Sequence, residues 1–435
     1  MSKEFLLLEA PNALKPPLED AFDFEGESGD YLVSNRAGAA VFAPEVDWFL
    51  ARSASDEPTK ARILRVLYEA RAAVYDRAAP DRKIAFDESA CQYCGKVGDG
   101  CGLCVGVCPE KAIVKDEAAH RLRYAFDLCV ACGKCVGVCP TGALELGAMG
   151  FDAFEAAARL YDGLVALIID EKALADLTCT LPAGVAPLIV PAGGFLGENA
   201  LLTLLQSSGS QIVAASEING EAAALLDTIW LAIYGKKAIL TIDEIGEAQP
   251  IAHSRRGFSH SAANARARFA AALRAAVGDS DFGAVASDRF GKIAIDGDRC
   301  SLCAACAQNC VTNALSADET ECLLRANDSL CTRCGECEAI CPEKAIALSS
   351  GGVVLNPSWF SPRIAAKDEV FRCVECGKPF ASSRSIAKVI SFMSPLFGSD
   401  PAKLRSLSCC ADCKPKVMLK AMLANKLARK EKGSI

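Results

Sequence analysis

Four cysteines at fixed spacing constrain this chain more than any other feature: Cys129-Val-Ala-Cys132-Gly-Lys-Cys135-Val-Gly-Val-Cys139-Pro140, or C-x2-C-x2-C-x3-C-P. Three thiols spaced by two residues lie on one tight loop and can grip a common centre, while the fourth, set off by three residues and a proline, points elsewhere. The pattern recurs. Cys331, Cys334, Cys337, Cys341 and Pro342 match it in full, and Cys300, Cys303, Cys306 and Cys310 keep the spacing with Val311 in place of proline. Cys101, Cys104, Cys108 and Pro109 repeat the last three places, but Gly98 stands where the first cysteine belongs, and an insertion leaves Cys91 and Cys94 upstream. Pro109-Glu-Lys-Ala-Ile113 and Pro342-Glu-Lys-Ala-Ile346 agree letter for letter, and Lys83-Ile-Ala-Phe86 before Cys91 parallels Lys292-Ile-Ala-Ile295 before Cys300. This is internal duplication.

The spacing resembles that of bacterial-type ferredoxins, whose fold carries two [4Fe–4S] clusters. The resemblance covers residues 81–149 and 291–350 and implies two such modules, four clusters, and a crossed ligation in which the fourth cysteine of each motif serves the other cluster. On that pattern the sets are Cys94, Cys101, Cys104 and Cys139; Cys129, Cys132, Cys135 and Cys108; Cys300, Cys303, Cys306 and Cys341; and Cys331, Cys334, Cys337 and Cys310. For the motif with the insertion, Cys94 is preferred over Cys91 as the nearer ligand; the alternative uses Cys91, Cys94 and Cys104 with a long loop and leaves Cys101 free. Cys322 lies outside the pattern. Zinc knuckles, the competing use of such cysteines, need neither the third cysteine at x2 nor the C-P ending. Each module is expected to begin with a short strand, and each cysteine–proline pair to lead into a short helical turn, at Glu110–Ile113 and at Thr141–Leu144.

A different pattern closes the chain. Cys373, Cys376, Cys410 and Cys413 read C-x2-C…C-x2-C, which looks like a zinc ribbon: a tetrahedral four-sulfur site suits Zn2+ and staples a segment too small for its own core. A fifth iron–sulfur centre and a redox-active thiol pair are the rival readings, and Cys409 is a spare or could replace Cys410. The basic tail beyond, Lys414 to Lys432, is expected to be a solvated helix face.

Between the modules, residues 150–290 change character. Apolar runs at 164–169, 188–190, 212–215 and 238–242 alternate with helical stretches at 198–206 and 221–234, the signature of an α/β unit with a parallel sheet; a further helix is expected at 262–277. Ala192-x-Gly194-x-x-Gly197 follows a strand and is two-thirds of a dinucleotide fingerprint, with Glu217 where a ribose-binding acid would lie. The first glycine is missing, and tight strand-to-helix packing explains the others. The region also resembles the small delta-type subunits that accompany some hydrogenases and heterodisulfide reductases, although that family's centre sits on cysteines this segment lacks. Its one cysteine, Cys179, is expected in the core. His120, His253 and His260 show no ligand spacing.

The expected class is therefore α+β: an N-terminal arm and helical subdomain (1–80), a ferredoxin-like module (81–149), an α/β domain (150–290), a second module (291–350), and the zinc-ribbon-like segment with its tail (367–435). Within the first part a helix is expected from Thr59 to Arg77, with Asp56 as cap, and an extended acidic arm after Pro16-Pro17. The 24 cysteines in 435 residues, without a secretory leader or an apolar stretch long enough to span a membrane, point to thiolates on metal in a reducing cytoplasm. A net charge of −7 disfavours nucleic acid and suits docking on a basic redox partner. The function expected is a polyferredoxin that relays single electrons to or from a soluble oxidoreductase such as a formate dehydrogenase or hydrogenase. A flavin- or NAD(P)-dependent reductase subunit and an iron–sulfur or molybdoenzyme assembly factor are the alternatives.

Overall fold

The computed structural model describes residues 22–25, 32–35, 45–75, 83–98, 100–249 and 264–432. Pro16, Pro17, His253 and His260 lie outside them, as does most of the acidic arm; its residues Phe22–Glu25 form β1, paired antiparallel with β2 (Leu32–Asn35). The chain divides into two compact units, one of residues 1–95, 101–287 and 353–358, the other of 96–100, 288–352 and 359–435.

The first unit opens with α1 (Glu45–Arg52) and α2 (Glu57–Tyr75). Helix α2 starts two residues before Thr59. Asp56 caps it, its Oδ1 accepting from Thr59 N–H at 3.0 Å, and Pro58 fits the first turn, where its missing N–H costs nothing. Ile63, Leu64, Val66 and Leu67 form its buried stripe. These helices join the core of the α/β domain: the Trp48 indole donates to Leu177 O at 3.1 Å and Ala54 N–H to Leu181 O at 2.9 Å.

A small antiparallel module follows: β3 (Ile84–Phe86), α3 (Leu103–Val107), β4 (Ile113–Asp116), β5 (Arg121–Tyr124), α4 (Lys134–Gly137) and β6 (Leu144–Leu146). Strand β3 pairs with β6, and β4 with β5. The helical turns lie before the cysteine–proline pairs, not after them. The three residues between the third and fourth cysteines are one turn of helix, and the chain then reverses through Lys111 at φ +50 into β4.

After α5 (Phe151–Ala158) comes the parallel sheet, built from β7 (Val165–Asp170), α6 (Glu171–Asp176), β8 (Val185–Val190), α7 (Glu198–Ser208), β9 (Ile212–Ala214), α8 (Gly220–Tyr234) and β10 (Ile239–Thr241), in the order β10-β9-β7-β8. Val165 pairs with Val185 and Ala166 with Ile212. Strand β8 is buried throughout, as continuous apolar strands of parallel sheets are. Asp170, Asn219 and Asn264 cap the helices that follow them, the last being α9 (Ala265–Val277). Cys179 sits half-exposed in the loop after α6, not in the core: that loop carries the chain over the surface between β7 and β8. Strand β11 (Ala284–Val285) pairs with Val353–Val354.

The second unit repeats the module as β12 (Gly291–Ile295), α10 (Ala305–Gln308), β13 (Leu315–Asp318), β14 (Leu323–Ala326), α11 (Glu336–Ile340) and β15 (Ile346–Ser350). Val97 and Gly98, which belong to this unit, donate their N–H groups to the Glu336 carboxylate at 3.2 and 3.0 Å. After β16 (Val353–Val354), β17 (Arg363–Lys367) extends the β13-β14 hairpin into a three-stranded sheet. The hairpin β18 (Val370–Arg372) and β19 (Pro379–Ser382), then α12 (Ser383–Phe397), α13 (Pro401–Ser406) and α14 (Lys414–Lys432), complete it.

Candidate metal centres

In the first module two cavities receive the cysteines. One, of about 460 Å³, is lined by Cys108, Cys129, Cys132 and Cys135 with Ile84, Ile113 and Tyr124. The other, of about 360 Å³, is lined by Cys91, Cys101, Cys104 and Cys139 with Phe86, Leu122 and Leu144. Each therefore takes its fourth cysteine from the other motif. Burial pushes the Cys104 thiol up to about 12, and charge on Cys101, Cys139 and Cys91 adds to it. The Cys135 thiol is pushed to about 12 in the same way, by burial and then by Cys132, Cys129 and Cys108.

Cys94, the nearer candidate, does not line either cavity. Its buried thiol is raised to about 11, chiefly by burial, and its Sγ accepts the Leu122 N–H at 3.4 Å. Cys91 stands where the module's architecture puts a first cysteine. It ends a turn of 3-10 helix capped by Asp87, just as Cys331 ends one capped by Asn327. It lies four residues past Asp87, whose N–H donates to Ala143 O at 2.8 Å. Cys300 lies four past Asp296, whose N–H donates to Ala345 O at 2.8 Å. The parallel between Lys83–Phe86 and Lys292–Ile295 favours the same register, whereas the preference for Cys94 rests on its shorter distance along the chain to Cys101.

In the second module the mutual charge of the thiols follows the same grouping. Burial raises the Cys306 thiol to about 12, assisted by Cys300, Cys303 and Cys341. Burial likewise raises Cys337, assisted by Cys331, Cys334 and Cys310. Val311 does not alter the loop exit: Thr312 Oγ1 lies 3.7 Å from Cys310 Sγ, as Thr141 Oγ1 lies 3.5 Å from Cys139 Sγ. Backbone amides also reach the sulfurs, Ala112 N–H to Cys108 at 3.3 Å and Ala345 N–H to Cys341 at 3.4 Å. Cys322 is buried at the β13–β14 turn, away from these sets.

The C-terminal cysteines gather more tightly. The sulfurs of Cys373, Cys376, Cys410 and Cys413 all lie within 4.8 Å of one another. Cys373 and Cys376 flank a knuckle closed by Gly377 at φ +72, whose N–H donates to Cys373 O at 2.9 Å. Cys410 and Cys413 lead into α14. Burial works against ionisation of Cys373, but amide donors at Cys410, Cys376 and Glu375 outweigh it and hold the thiol near 6. Cys409 lies outside this group of four, its thiol donating to Arg405 O at 3.3 Å, but it also packs beside Cys373.

Sequence reasoning missed one set of residues around the first module. The Gly193–Gly197 turn of the α/β domain lies against the cysteine loop, and its Phe195 and Gly197 also border a cavity with Val136, Pro140 and Arg268. A Cβ on Gly194 would stand 2.3 Å from Cys132 O, one on Gly197 2.0 Å from Gly137 O, and one on Gly137 2.3 Å from Gly194 O. Glu217, at the place of a ribose-binding acid, pairs with Lys134 Nζ at 2.9 Å. The glycines serve backbone approach to protein, and the signal for it was a lysine between two cysteines.

Comparison with known families decides what these loops are. Residues 99–143 match the model of the 4Fe-4S dicluster domain, and residues 325–347 that of the 4Fe-4S binding domain. The chain carries two 4Fe–4S ferredoxin-type domains. The first match takes in Cys101 to Cys139 and the second Cys331 to Cys341. Among curated proteins, none matches the chain. An iron–sulfur, electron-transferring role follows from these domains, and the C-terminal cysteine group fits metal binding. Among the described residues, no helix is long and apolar enough to cross a membrane.

Proposed function

We propose that the protein is an electron carrier with four [4Fe–4S] clusters and a structural zinc. The observation that supports this reading is the lining of the two cavities of the first module, where Cys108 joins Cys129, Cys132 and Cys135, and Cys139 joins Cys91, Cys101 and Cys104. A four-iron cubane needs four thiolates on four different irons, and these sets supply them. The ligands proposed are Cys91, Cys101, Cys104 and Cys139; Cys129, Cys132, Cys135 and Cys108; Cys300, Cys303, Cys306 and Cys341; and Cys331, Cys334, Cys337 and Cys310. When bound, each cluster supplies a one-electron couple. The chain's own part is to hold the irons, to exclude water with residues such as Ile84, Tyr124 and Leu144, and to donate amide hydrogens to Cys108 and Cys341. Such hydrogen bonds and burial set the potential.

The C-terminal set suits zinc. A tetrahedron with Zn–S bonds of about 2.3 Å has sulfurs about 3.8 Å apart, and Cys376 and Cys410 lie at 3.7 Å. A cubane would spread its thiolates over four irons. The partner proposed is a soluble oxidoreductase of the formate dehydrogenase or hydrogenase kind, by analogy with other chains that string such modules together. The reductase alternative is weakened, because Gly194 and Gly197 are in close contact with backbone carbonyls of the cysteine loop.

Anaerobic purification with metal analysis tests the reading: about 16 iron and one zinc per chain, with visible absorbance bleached by a low-potential reductant and restored on oxidation. Fewer than half that iron after reconstitution would overturn it.

A further inference from the structure

We propose that the Gly193–Gly197 turn is a seat for the Cys129–Cys139 loop, a positioning element that pins the loop bearing Cys132 and Cys135 while its near-identical twin, bearing Cys101 and Cys104, has no such seat. The inference rests on the cluster reading above. Its basis is an internal comparison. The loops Gly102-Leu-Cys104-Val-Gly106-Val and Gly133-Lys-Cys135-Val-Gly137-Val differ at a single position. Their local hydrogen bonding agrees as well: Gly106 N–H donates to Gly102 O and Gly137 N–H to Gly133 O, each at 3.1 Å.

Their surroundings differ. Around Gly106 a Cβ would meet nothing within 4 Å, and Gly106 and Pro109 are exposed; Gly133, Gly137, Val138 and Pro140 are buried. The cysteine loop itself does not demand glycine at this place, since Gln308 and Ala339 occupy it in the second module. Gly137 is explained by its neighbour: a Cβ on Gly137 or Gly194 would stand 2.3 Å, and one on Gly197 2.0 Å, from a backbone carbonyl oxygen across the contact, an approach that no side chain allows. Lys134 and Glu217 fasten the edge at 2.9 Å, and Phe195, beside Gly133, is anchored edge-on against Phe154 at 5.6 Å.

A loop seated in this way has its backbone opening linked to separation of two packed surfaces, whereas the free loop opens by itself. Amide hydrogen exchange on the iron-loaded wild-type protein reads this directly, because the near-identical sequences have near-identical intrinsic rates. Amides 134–138 are expected to exchange at least about tenfold more slowly than amides 103–107. Gly194→Ala, which forces the surfaces apart, is expected to reduce that ratio, and so, to a smaller extent, is Glu217→Gln, an exposed change that threatens no core. Gly220→Ala, which meets open space, is the control. Equal exchange of the two loops in iron-loaded wild-type protein would overturn the seat while leaving the cluster reading intact. Wild-type protein that takes up no iron would overturn the cluster reading, and the seat's purpose with it.

Discussion

Replacing Cys91 or Cys94 by serine separates two thiols only three residues apart. The structure gives them different work. Cys91 lines a cavity with Cys101, Cys104 and Cys139 and occupies the register of Cys300; Cys94 lies off the cavity, and its sulfur is engaged by the Leu122 amide. A cluster has four irons, so loss of one of four lowers the iron content by about a quarter, from about 16 to about 12 per chain. Cys91→Ser is expected to show that loss, or the smaller loss of a single iron if the remaining three thiolates retain a damaged cluster. Cys94→Ser keeps an oxygen that the Leu122 N–H can reach, and is expected to retain full iron at a stability cost of about 1 kcal/mol. Iron and sulfide analysis, with spin quantitation of the reduced protein by EPR, reads both variants. The double variant shows whether Cys94 stands in for a missing Cys91: in that case it would lose more iron than Cys91→Ser. Loss of iron from Cys94→Ser with none from Cys91→Ser would refute the register argument.

Three further outcomes follow from the geometry. Gly291→Ala places a methyl 2.6 Å from Cys331 Sγ and 3.3 Å from Arg333 Cβ; the overpacking is expected to cost about 1–3 kcal/mol and to lower iron uptake, and unchanged iron and melting temperature would count against it. Cys413→Ser removes one of four zinc ligands, and because such metal binding is also folding energy, bound zinc and resistance of residues 367–432 to protease are expected to fall together, while Cys409→Ser leaves both unchanged. Asp227, whose Oδ1 accepts the Ala238 and Ile239 amides at 2.9 Å each, has its carboxyl raised above the usual value, mainly by burial. A raised carboxyl is protonated in the folded state before the unfolded one. Its contribution to stability is therefore greatest below the unfolded-state pKa and is lost as pH rises from there through the raised folded-state pKa, above which it no longer changes. Asp227→Asn should flatten that dependence in denaturant titrations at several pH values, while Asp227→Ala, which orphans both amides, should cost about 2–3 kcal/mol.

The two 4Fe–4S domains were legible because covalent spacing fixes which thiols share a loop, and that spacing survives any change of surroundings. The parallel strands were legible for a related reason: runs such as Val165–Ile169 are apolar on both faces and can only be buried. What the sequence hid was everything decided by another segment. The helical turns sit before the prolines because the x3 gap is itself helical, a conclusion that needs the cysteines' directions and not only their order. The case for Cys91 over Cys94 rests on strand pairing across the module, β3 with β6, rather than on proximity in sequence. The N-terminal helices read as a separate subdomain because nothing in their pattern names the Leu177–Leu181 loop that they cover.

The glycine turn shows the limit most clearly. Gly193, Gly194 and Gly197 follow a buried strand and precede a helix, which is the setting of a phosphate-binding loop. Glycine there says only that something approaches the backbone closely. A phosphate would exploit free N–H groups at the start of α7; here the approach is made by the carbonyl groups of Cys132 and Gly137. The same three glycines thus have opposite meanings according to whether a donor or an acceptor arrives, and one chain's sequence does not record that. The duplicated loops supply what the turn cannot. Gly106 meets open space, Gly137 meets Gly194, and Gln308 and Ala339 stand at the same place in the second module. A residue tolerated as glycine, glutamine or alanine by the cysteine loop is not set by the cysteines. At position 137 it is set by the neighbouring domain, and for that reason the packing of the α/β domain and the first cysteine block must be treated as one design rather than as two modules in series.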